Sequence, residues 1–436
     1  MSLRDLIAIA AGKTISRVST TLRMGAGATW PGEVALRISP SILRSLSSLF
    51  SKGIILVVGT NGKTTTSSMI ATILSKQGHT LVHNTSGANL LNGVVSASVL
   101  HHGKTYEYGI FEVDENALPQ VLSYVTPKIV VVLNLFRDQL DRYGEVDVIA
   151  EKWNKALRPL SETSTVILNA DDPLVASFGK KLDTRVVYFG LSEKFRQDRV
   201  VDHATDSIFC QYCGGRLAYN SYYFSHLGDW YCTVCGDARP QVAVSEWNSP
   251  LPGLYNTYNT LAAVLVAREL FIADSDIESS LVGFQPAFGR QEEFTVGEKK
   301  IKLFLSKNPA GFTASLRAVL DMKPRTILVA LNDRIPDGRD ISWIWDVDFE
   351  MIPVKTRVVV SGDRVYDMAV RIEYAKHTQK NRDTKSCTPM LLVESDMKNA
   401  LAVGLLHIKP GETLYVLATY SAMLDIRKIL TGRKIL

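Results

Sequence analysis

Short apolar runs alternate with stretches of helical periodicity along most of the chain. The runs are rich in Val and Ile and nearly continuous, which is typical of strands buried on both faces of a parallel sheet. Between two of them, Met69, Ile70 and Ile73 recur at helical spacing. The alternation therefore predicts an α/β fold with parallel sheets. The predicted strands are Ile54–Val58, Tyr108–Val113, Ile129–Leu133, Thr165–Leu168, Arg185–Phe189, Thr326–Leu331, Thr356–Val360, Leu391–Val393 and Thr413–Ala418.

Changes in this pattern along the chain predict where its domains begin and end. A length of 436 residues suggests two to three domains. Residues 1–50 form a predicted helical leader, and residues 51–295 a central α/β domain. A stretch rich in Tyr, Cys, Gly and Asp, about 196–245, interrupts the central domain as an insertion. Residues 296–436 form a smaller, Rossmann-like α/β domain in this prediction, with the boundary near the glycines at 289 and 297.

Composition and charge exclude several classes of protein. Hydrophobic residues make up 46% and charged residues 21%, as in globular rather than disordered proteins. The net charge of +5 is too small to predict a nucleic-acid partner. No apolar run reaches the roughly 18 residues needed to span a bilayer. With no secretory signal and five cysteines, a reducing cytoplasmic location is expected.

The N-terminus carries a basic amphipathic stretch, from Leu3 to Leu22. Two interpretations stay open at this stage. The stretch is either a helix that packs on the central domain or a weak contact with a membrane surface.

A glycine-rich loop between a predicted strand and a predicted helix is the clearest chemical signal. It comprises Gly59, Thr60, Asn61, Gly62, Lys63, Thr64 and Thr65. Such a loop directs backbone amides at phosphate oxygens, and the helix N-terminus adds partial positive charge. Lys63 is expected to contact the terminal phosphates, and the Thr64 hydroxyl to ligate Mg²⁺. Glu112 ends another predicted strand and is the candidate second Mg²⁺ ligand. The alternative is that Glu112 and its acidic neighbours are solvated acids at a strand end.

Four of the five cysteines form two close pairs within the insertion. Cys210 and Cys213 precede Cys232 and Cys235 by 18 intervening residues, and glycines follow both pairs. This spacing predicts a structural zinc ribbon with four thiolate ligands. Reduced cysteines packed in a small core and nucleic-acid binding are the weaker interpretations. Cys387 stands alone and is interpreted as an inert thiol.

These motifs, in this order, resemble the Mur ligase superfamily. The similar segments are GTNGKTTT from Gly59, EVDE from Glu112, NADDP from Asn169, and Tyr255-Asn256-x2-Asn259. The resemblance implies an enzyme that uses ATP to convert a carboxylate into an acyl phosphate, which an amine attacks. It further implies roles for matching residues: phosphate binding by Lys63, Mg²⁺ binding by Thr64 and Glu112, contact with the nucleotide base by Asn256 and Asn259, and closure on ATP by Arg290.

The chain also departs from the superfamily pattern. Gln139 stands where a histidine is usual, which puts a second Mg²⁺ in doubt. The carbamoylated lysine of the superfamily has no clear match, since Lys152 and Lys155 read as part of a surface helix. The short segment before the phosphate loop implies a substrate recognised other than through a soluble UDP-sugar.

An acidic segment in the C-terminal half narrows the resemblance. Six acids lie from Asp333 to Glu350, with two tryptophans among them, and Lys307-Asn308 resembles a superfamily motif that faces ATP. With the ribbon, this segment is similar to the Mur-ligase-like subunits of lipid II isoglutaminyl synthase. The resemblance implies a heterodimer with a GatD-like glutaminase, in which Asp340 completes the partner's Cys-His-Asp triad. From the residues alone, Asp337, Asp346 and Asp348 are equally open candidates, and a purely structural role in turns and caps is the alternative.

The predicted function is therefore ATP-dependent amidation of the D-glutamyl α-carboxylate in the peptidoglycan stem peptide. The expected substrate is lipid II or a stem-peptide precursor at the inner face of the membrane. Two alternatives are kept. One is a ligase that adds an amino acid, of the Mur or folylpolyglutamate type. The other is a zinc-ribbon scaffold that binds ATP without chemistry of its own.

Overall fold

The computed structural model describes residues 1–21, 29–84, 88–137, 146–197, 206–285, 290–380 and 390–432. Within these ranges the helices are α1 Leu3–Thr21, α2 Trp30–Ile38, α3 Ile42–Leu46, α4 Lys63–Lys76, α5 Leu91–His101, α6 Leu118–Leu122, α7 Val146–Leu157, α8 Pro173–Phe178, α9 Leu254–Glu269, α10 Asp274–Leu281, α11 Pro309–Asp321, α12 Val365–Lys380, α13 Met397–Leu406 and α14 Tyr420–Thr431. The strands are β1 Phe50–Val58, β2 Leu81–His83, β3 Tyr106–Glu112, β4 Ile129–Val132, β5 Thr165–Asn169, β6 Arg185–Phe189, β7 Leu217–Phe224, β8 Leu227–Cys232, β9 Arg290–Val296, β10 Lys299–Leu305, β11 Thr326–Ala330, β12 Arg357–Ser361, β13 Leu391–Val393 and β14 Thr413–Ala418.

The central sheet has six parallel strands in the order β2-β3-β1-β4-β5-β6. Its middle strands are buried on both faces, as their continuous Val and Ile runs predict. Separate hydrophobic cores cover the two faces of the sheet. The predicted α/β class with a parallel sheet is thus confirmed. Strand β2 was not predicted, because three residues give too short a pattern.

The first three helices pack on α5 at one side of this sheet. Gly12 of α1 lies where the helices cross, since a Cβ atom there would meet the Pro31 carbonyl oxygen at 2.9 Å. Asp5 is buried, and its carboxylate accepts hydrogen bonds from the Ser39 and Ser45 hydroxyls at 2.7 and 2.9 Å. These bonds join α1 to the segment around α3.

The cysteine-rich insertion is a β7–β8 hairpin that docks on the central sheet. Trp230 of β8 donates its indole N–H to the Ala170 carbonyl at 2.9 Å. After the hairpin the chain returns alongside β6, where Gly190 donates to the Val244 carbonyl. The insertion is therefore anchored at its hairpin and at its exit.

The second sheet has the order β13-β12-β11-β14-β10-β9 and is parallel except for the antiparallel β9–β10 pair. It begins with β9, on the N-terminal side of the boundary expected at residue 296. Gly297 has a φ of +60° and forms the β9–β10 turn, so this glycine does not link two domains. Among the helices of the described residues, none combines the length and the apolar character needed to cross a bilayer.

Candidate active site

Residues predicted to bind phosphate and Mg²⁺ lie together at the carboxyl ends of three neighbouring strands, β1, β3 and β4. Val57 of β1 pairs with Glu112 of β3, and Val58 pairs with Val132 of β4. The loop after β1 therefore lies between Glu112 on one side and Asn134 on the other. This edge is where ligands bind in open α/β sheets.

The conformation of the loop requires glycine at two positions. Gly59 and Gly62 have φ values of +147° and +92°. A Cβ atom on Gly62 would meet the Asn259 Oδ1 at 2.1 Å, so the helix α9 packs directly on the loop. Asn134 fixes the loop from the other side, because it accepts from the Asn61 amide at 2.9 Å and donates to the Asn61 carbonyl at 3.0 Å. The loop opens α4, whose first residue is Lys63.

Lys63 is held inside the loop. Its ammonium donates to the Gly59 carbonyl at 2.6 Å and to the Glu115 carboxylate at 3.0 Å, and the residue is 6% exposed. Glu115 has no role in the sequence prediction, although it belongs to the EVDE segment. The buried carboxylate neutralises the lysine and positions it.

Glu112 offers an unused acceptor at the same edge. Its Oε2 is buried and makes no hydrogen bond within the described part of the chain, while Asn84 holds its backbone on both sides. A buried carboxylate oxygen without a protein partner suits a cation. Thr64, the other predicted Mg²⁺ ligand, lies one residue into α4. The residues present thus fit the predicted ion.

A cavity of about 90 Å³ opens beside the loop. Asn256 and Asn259 line it from α9, where the Asn259 side chain donates to the Asn256 Oδ1 at 3.2 Å. Its other walls come from the loop, the ribbon hairpin and the second sheet. Those lining residues include Asn61, Gly62, Thr65, Phe136, Phe224, Leu227, Tyr255, Gln291, Phe304 and Gly311. A mostly apolar cavity that is also lined by a few side-chain amides suits a nucleotide base.

The second sheet reaches the loop through α11. Asn308 caps α11 by accepting from the Gly311 amide at 2.7 Å, and it donates to the Asn61 Oδ1 at 3.1 Å. Gln291 of β9 makes a second link, donating to the Tyr255 hydroxyl at 2.7 Å. This link between Gln291 and Tyr255 was not predicted, because a lone amide and a lone phenol have no characteristic spacing in the sequence.

The NADDP segment, residues 169–173, links several of the elements that form the site. Asp171 is fully buried, accepts from the Tyr258 hydroxyl at 2.8 Å and pairs with Arg239 at 2.6 Å. Burial raises the pKa of Asp171 to about 6, although Arg239 opposes the shift. Asp172 caps α8 and accepts from the Leu135 amide at 2.9 Å. The first aspartate thus joins the central sheet to α9 and to the residues after the ribbon.

The four insertion cysteines form one cluster, with all four Sγ atoms within 4.8 Å of one another. Gly214 and Gly236 follow the two pairs with positive φ, as tight knuckles require. The amides of Cys235 and Val234 lower the pKa of the Cys232 thiol to about 6. The cluster suits a metal ion with thiolate ligands.

The acids of the C-terminal segment have different surroundings. Asp337 is buried and accepts from the Ser421 amide at 2.8 Å, and burial raises its pKa. Asp348 is buried, with Arg317 at 3.8 Å. Asp346 pairs with Arg137 at 3.6 Å on the surface. Asp340 is exposed, and within the described ranges its carboxylate accepts one bond, from the Ser342 amide at 2.8 Å.

Other predicted residues fall outside the site or outside the described residues. Lys152 donates to Asn116 at 3.1 Å, and Lys155 pairs with Glu151 at 2.6 Å on the exposed face of α7, as a surface helix predicts. Arg290 begins β9, but its side chain is not described. Gln139 and Cys387 lie outside the described residues.

Comparison with solved structures identifies the fold. A pseudomurein peptide ligase type C from Methanothermus fervidus aligns with a TM-score of 0.65 and 21% identity, over 89% of this chain and 80% of its own. MurF ligase from Thermotoga maritima in complex with ADP aligns with a TM-score of 0.62 and 16% identity, over 91% and 83%. The model of the Mur ligase middle domain matches residues 57–267. Fold and site thus define a Mur ligase.

The sequence comparisons then give the family within this class. The family model for the MurT ligase C-terminal region matches residues 305–423. The lipid II isoglutaminyl synthase (glutamine-hydrolyzing) subunit MurT of Streptococcus pneumoniae is 32% identical over 100% of this chain and 99% of its own length. The chain belongs to the MurT family, a family of ligases.

Proposed function

We propose that the protein catalyses ATP-dependent amidation of the D-glutamyl α-carboxylate in the peptidoglycan stem peptide, giving D-isoglutamine. Similarity to the pneumococcal MurT subunit along the whole chain is the observation that carries this proposal. The printed name of that relative supplies the substrate, lipid II, and the use of glutamine. The site supplies matching chemistry: a phosphate loop, a buried carboxylate and a cavity for a base.

ATP is the proposed phosphoryl donor, bound with its base in the cavity between α9 and the second sheet. Its phosphates would lie on the amides of the loop from Gly59 to Thr65. Lys63 would leave Glu115 in part to contact the terminal phosphate, and Arg290 would close on the nucleotide from β9. A Mur ligase of the same fold forms a complex with ADP, which supports nucleotide binding by this fold.

Mg²⁺ would be held by the Thr64 hydroxyl and the Glu112 carboxylate, whose Oε2 lacks a protein partner. The ion supplies charge neutralisation on phosphate oxygens. Zn²⁺ is the proposed occupant of the four-cysteine cluster, and its role is structural, because four thiolates leave no position for water.

The reaction proceeds in two transfers. A substrate carboxylate oxygen attacks the γ-phosphorus, ADP leaves, and an acyl phosphate forms. Ammonia then attacks the acyl carbon, inorganic phosphate leaves, and the nitrogen loses a proton to give the amide. Lys63 stabilises charge on the transferred group. The closeness of α11 to the loop shields the acyl phosphate from water.

Ammonia would come from a GatD-like glutaminase subunit bound to the second sheet. An exposed apolar surface supports that site: Ile335, Trp345, Tyr366, Val370 and Tyr374 are 45% to 77% exposed. Trp345 packs on Tyr374 of α12 at a ring distance of 5.5 Å. Asp340 lies in the same loop region as Ile335 and Trp345. Among the four candidate acids Asp340 is exposed, whereas Asp337 and Asp348 are buried and Asp346 is half-buried, which supports its proposed role in the partner's triad.

One experiment separates this proposal from its alternatives. ADP release is measured with Mg-ATP, a D-glutamyl stem peptide and ammonium, and the substrate mass is followed. ADP release together with the mass change of a hydroxyl replaced by an amino group establishes the amide ligase. Product that contains an added amino acid indicates the other ligase type. No ADP release from the zinc-loaded chain with its partner indicates a scaffold.

A further inference from the structure

The outer face of α1 combines exposed apolar and basic side chains. At about 100° per residue, Leu3, Ile7, Ala10, Thr14 and Val18 form one stripe along the helix. Leu3, Ile7 and Val18 are 75%, 53% and 50% exposed. The opposite face, with Ala8, Ile9 and Gly12, is buried on the domain. Packing of the helix therefore leaves this stripe uncovered within the described residues.

Basic side chains border the stripe on both sides. Arg4 lies about 90° from its centre in one direction and Lys13 in the other, while Arg17 lies at its edge. Residues 1–50 contain six Lys and Arg residues against two Asp and Glu residues, a net charge of +4 in a chain whose total is +5. An apolar stripe bordered by cations complements an anionic lipid surface.

The same module carries an exposed tryptophan near the active edge of the central sheet. Trp30, the first residue of α2, is 65% exposed. Next to it, Gly32 donates to the Ser96 hydroxyl of α5 at 2.7 Å. The segment leading into α5 reaches the strand ends, where the Asp114 amide donates to the Asn89 carbonyl at 2.8 Å. Tryptophan is typical of the interface between lipid and water.

We infer that the outer face of α1, with Trp30, docks the protein on an anionic lipid surface. Leu3, Ile7 and Val18 enter the boundary between headgroups and acyl chains, and Arg17 contacts lipid phosphates. Arg4 and Lys13 donate to the Ile38 and His102 carbonyls and add positive charge at the border of the stripe. The inference does not depend on the proposed reaction, because lipid binding is measured without turnover.

Vesicle sedimentation of the full chain tests the inference. Vesicles of phosphatidylglycerol and phosphatidylcholine in equal parts are compared with vesicles of phosphatidylcholine alone. The unaltered chain is expected to sediment with the anionic vesicles and to be released by salt. The double variant Leu3→Ser/Ile7→Ser should bind them about tenfold more weakly. Arg17→Glu should weaken binding about fivefold at low salt.

Phe271→Ser is the matched control, since Phe271 is 97% exposed and lies after α9, outside the helical leader. Circular dichroism verifies that each variant is folded. Three results would overturn the inference: no binding to anionic vesicles, equal binding to both vesicle types, or equal binding by the double variant and the Phe271 control. Loss of dimers in the double variant, measured by light scattering without vesicles, would instead assign the face to a second copy of the chain.

Discussion

The side chains of Asn61 and Asn308 hydrogen-bond each other across the site, although they lie 247 positions apart in the chain. Asn61 belongs to the phosphate loop, and Asn308 caps the first turn of α11. One amide pair thus joins the proposed phosphate loop to the second sheet through α11. Rotation of the second sheet away from the nucleotide must break this pair.

We expect Asn308→Ser to lower kcat/KM for ATP several-fold, with little change in stability. Serine still caps α11 but is too short to reach Asn61. A double-mutant cycle with Asn61→Ala should give a coupling of about 1 kcal/mol in transition-state free energy. The readout is steady-state ADP release. Additive effects of the two changes would mean that the pair does not contribute to closure.

Replacing the loop lysine should abolish turnover without disturbing assembly. Lys63→Ala removes the cation proposed to contact the transferred phosphate, so ADP release should fall about a hundredfold or more. Binding of the glutaminase subunit, followed by size-exclusion chromatography, should persist. Lys155→Ala, on the exposed face of α7, is the control and should be fully active. An active Lys63→Ala enzyme would refute the phosphate-loop assignment.

Asp340→Asn should separate the two sources of nitrogen. Glutamine-driven amidation should drop on the order of a thousandfold, since the partner's histidine loses its orienting acid. Ammonium-driven amidation should be unchanged. Asp346→Asn, which alters a surface ion pair with Arg137, serves as the comparison and should leave both activities near normal. Equal loss of both activities in Asp340→Asn would contradict a role in the triad.

Loss of the metal should weaken the ribbon and, through it, the base cavity. Cys213→Ser is expected to eliminate bound zinc, measured by atomic absorption, and to lower the thermal midpoint. KM for ATP should rise, because Phe224 and Leu227 of the hairpin line the cavity. Cys387→Ser is the matched control and should retain its zinc. A zinc-free variant with normal stability and KM would leave the ribbon without the role proposed here.

The carboxylate of Asp5 should make the N-terminal helices sensitive to acid. Hydrogen bonds from Ser39, Ser2 and Ser45 lower its pKa from 3.8 to about 2. Because the folded pKa is depressed, the contribution to stability is complete above pH about 4 and is lost as pH falls toward about 2. Asp5→Asn should cost about 1–3 kcal/mol of unfolding free energy near neutral pH and remove this dependence. Urea unfolding at pH 7 and near pH 2 measures the change, and Glu162→Gln, at an exposed acid, is the control.

The central fold follows from the sequence because its strands are long, apolar and regularly spaced. Five predicted central strands and four in the second sheet are confirmed, with ends shifted by a few residues. β9 was not predicted because five of its seven residues, RQEEFTV, are polar, as is common in a strand at the sheet edge. The β7–β8 hairpin was hidden by the cysteine pattern, which indicates a metal site but no strand register.

Whether a residue of the site could be predicted depends on the kind of sequence signal that marks it. The phosphate loop residues, Glu112, Asn256 and Asn259 converge at one edge, since motif and strand ends gave both identity and position. Glu115, Gln291 and Tyr258 act through contacts between elements far apart in sequence, and no spacing encodes such contacts. The role of Asp340 stays a prediction, because its proposed target belongs to another chain.

The Asp171 cluster bears on attempts to shorten this enzyme. Arg239 follows the ribbon in sequence, and Tyr258 lies on the helix that holds Asn256 and Asn259. A chain cut back to remove residues 206–240 would lose the guanidinium and leave a buried carboxylate unneutralised beside that helix. The insertion therefore stabilises the packing of α9, the helix that carries Asn256 and Asn259, on the central sheet. A shortened version of the enzyme has to retain the insertion or replace Asp171 with an apolar side chain.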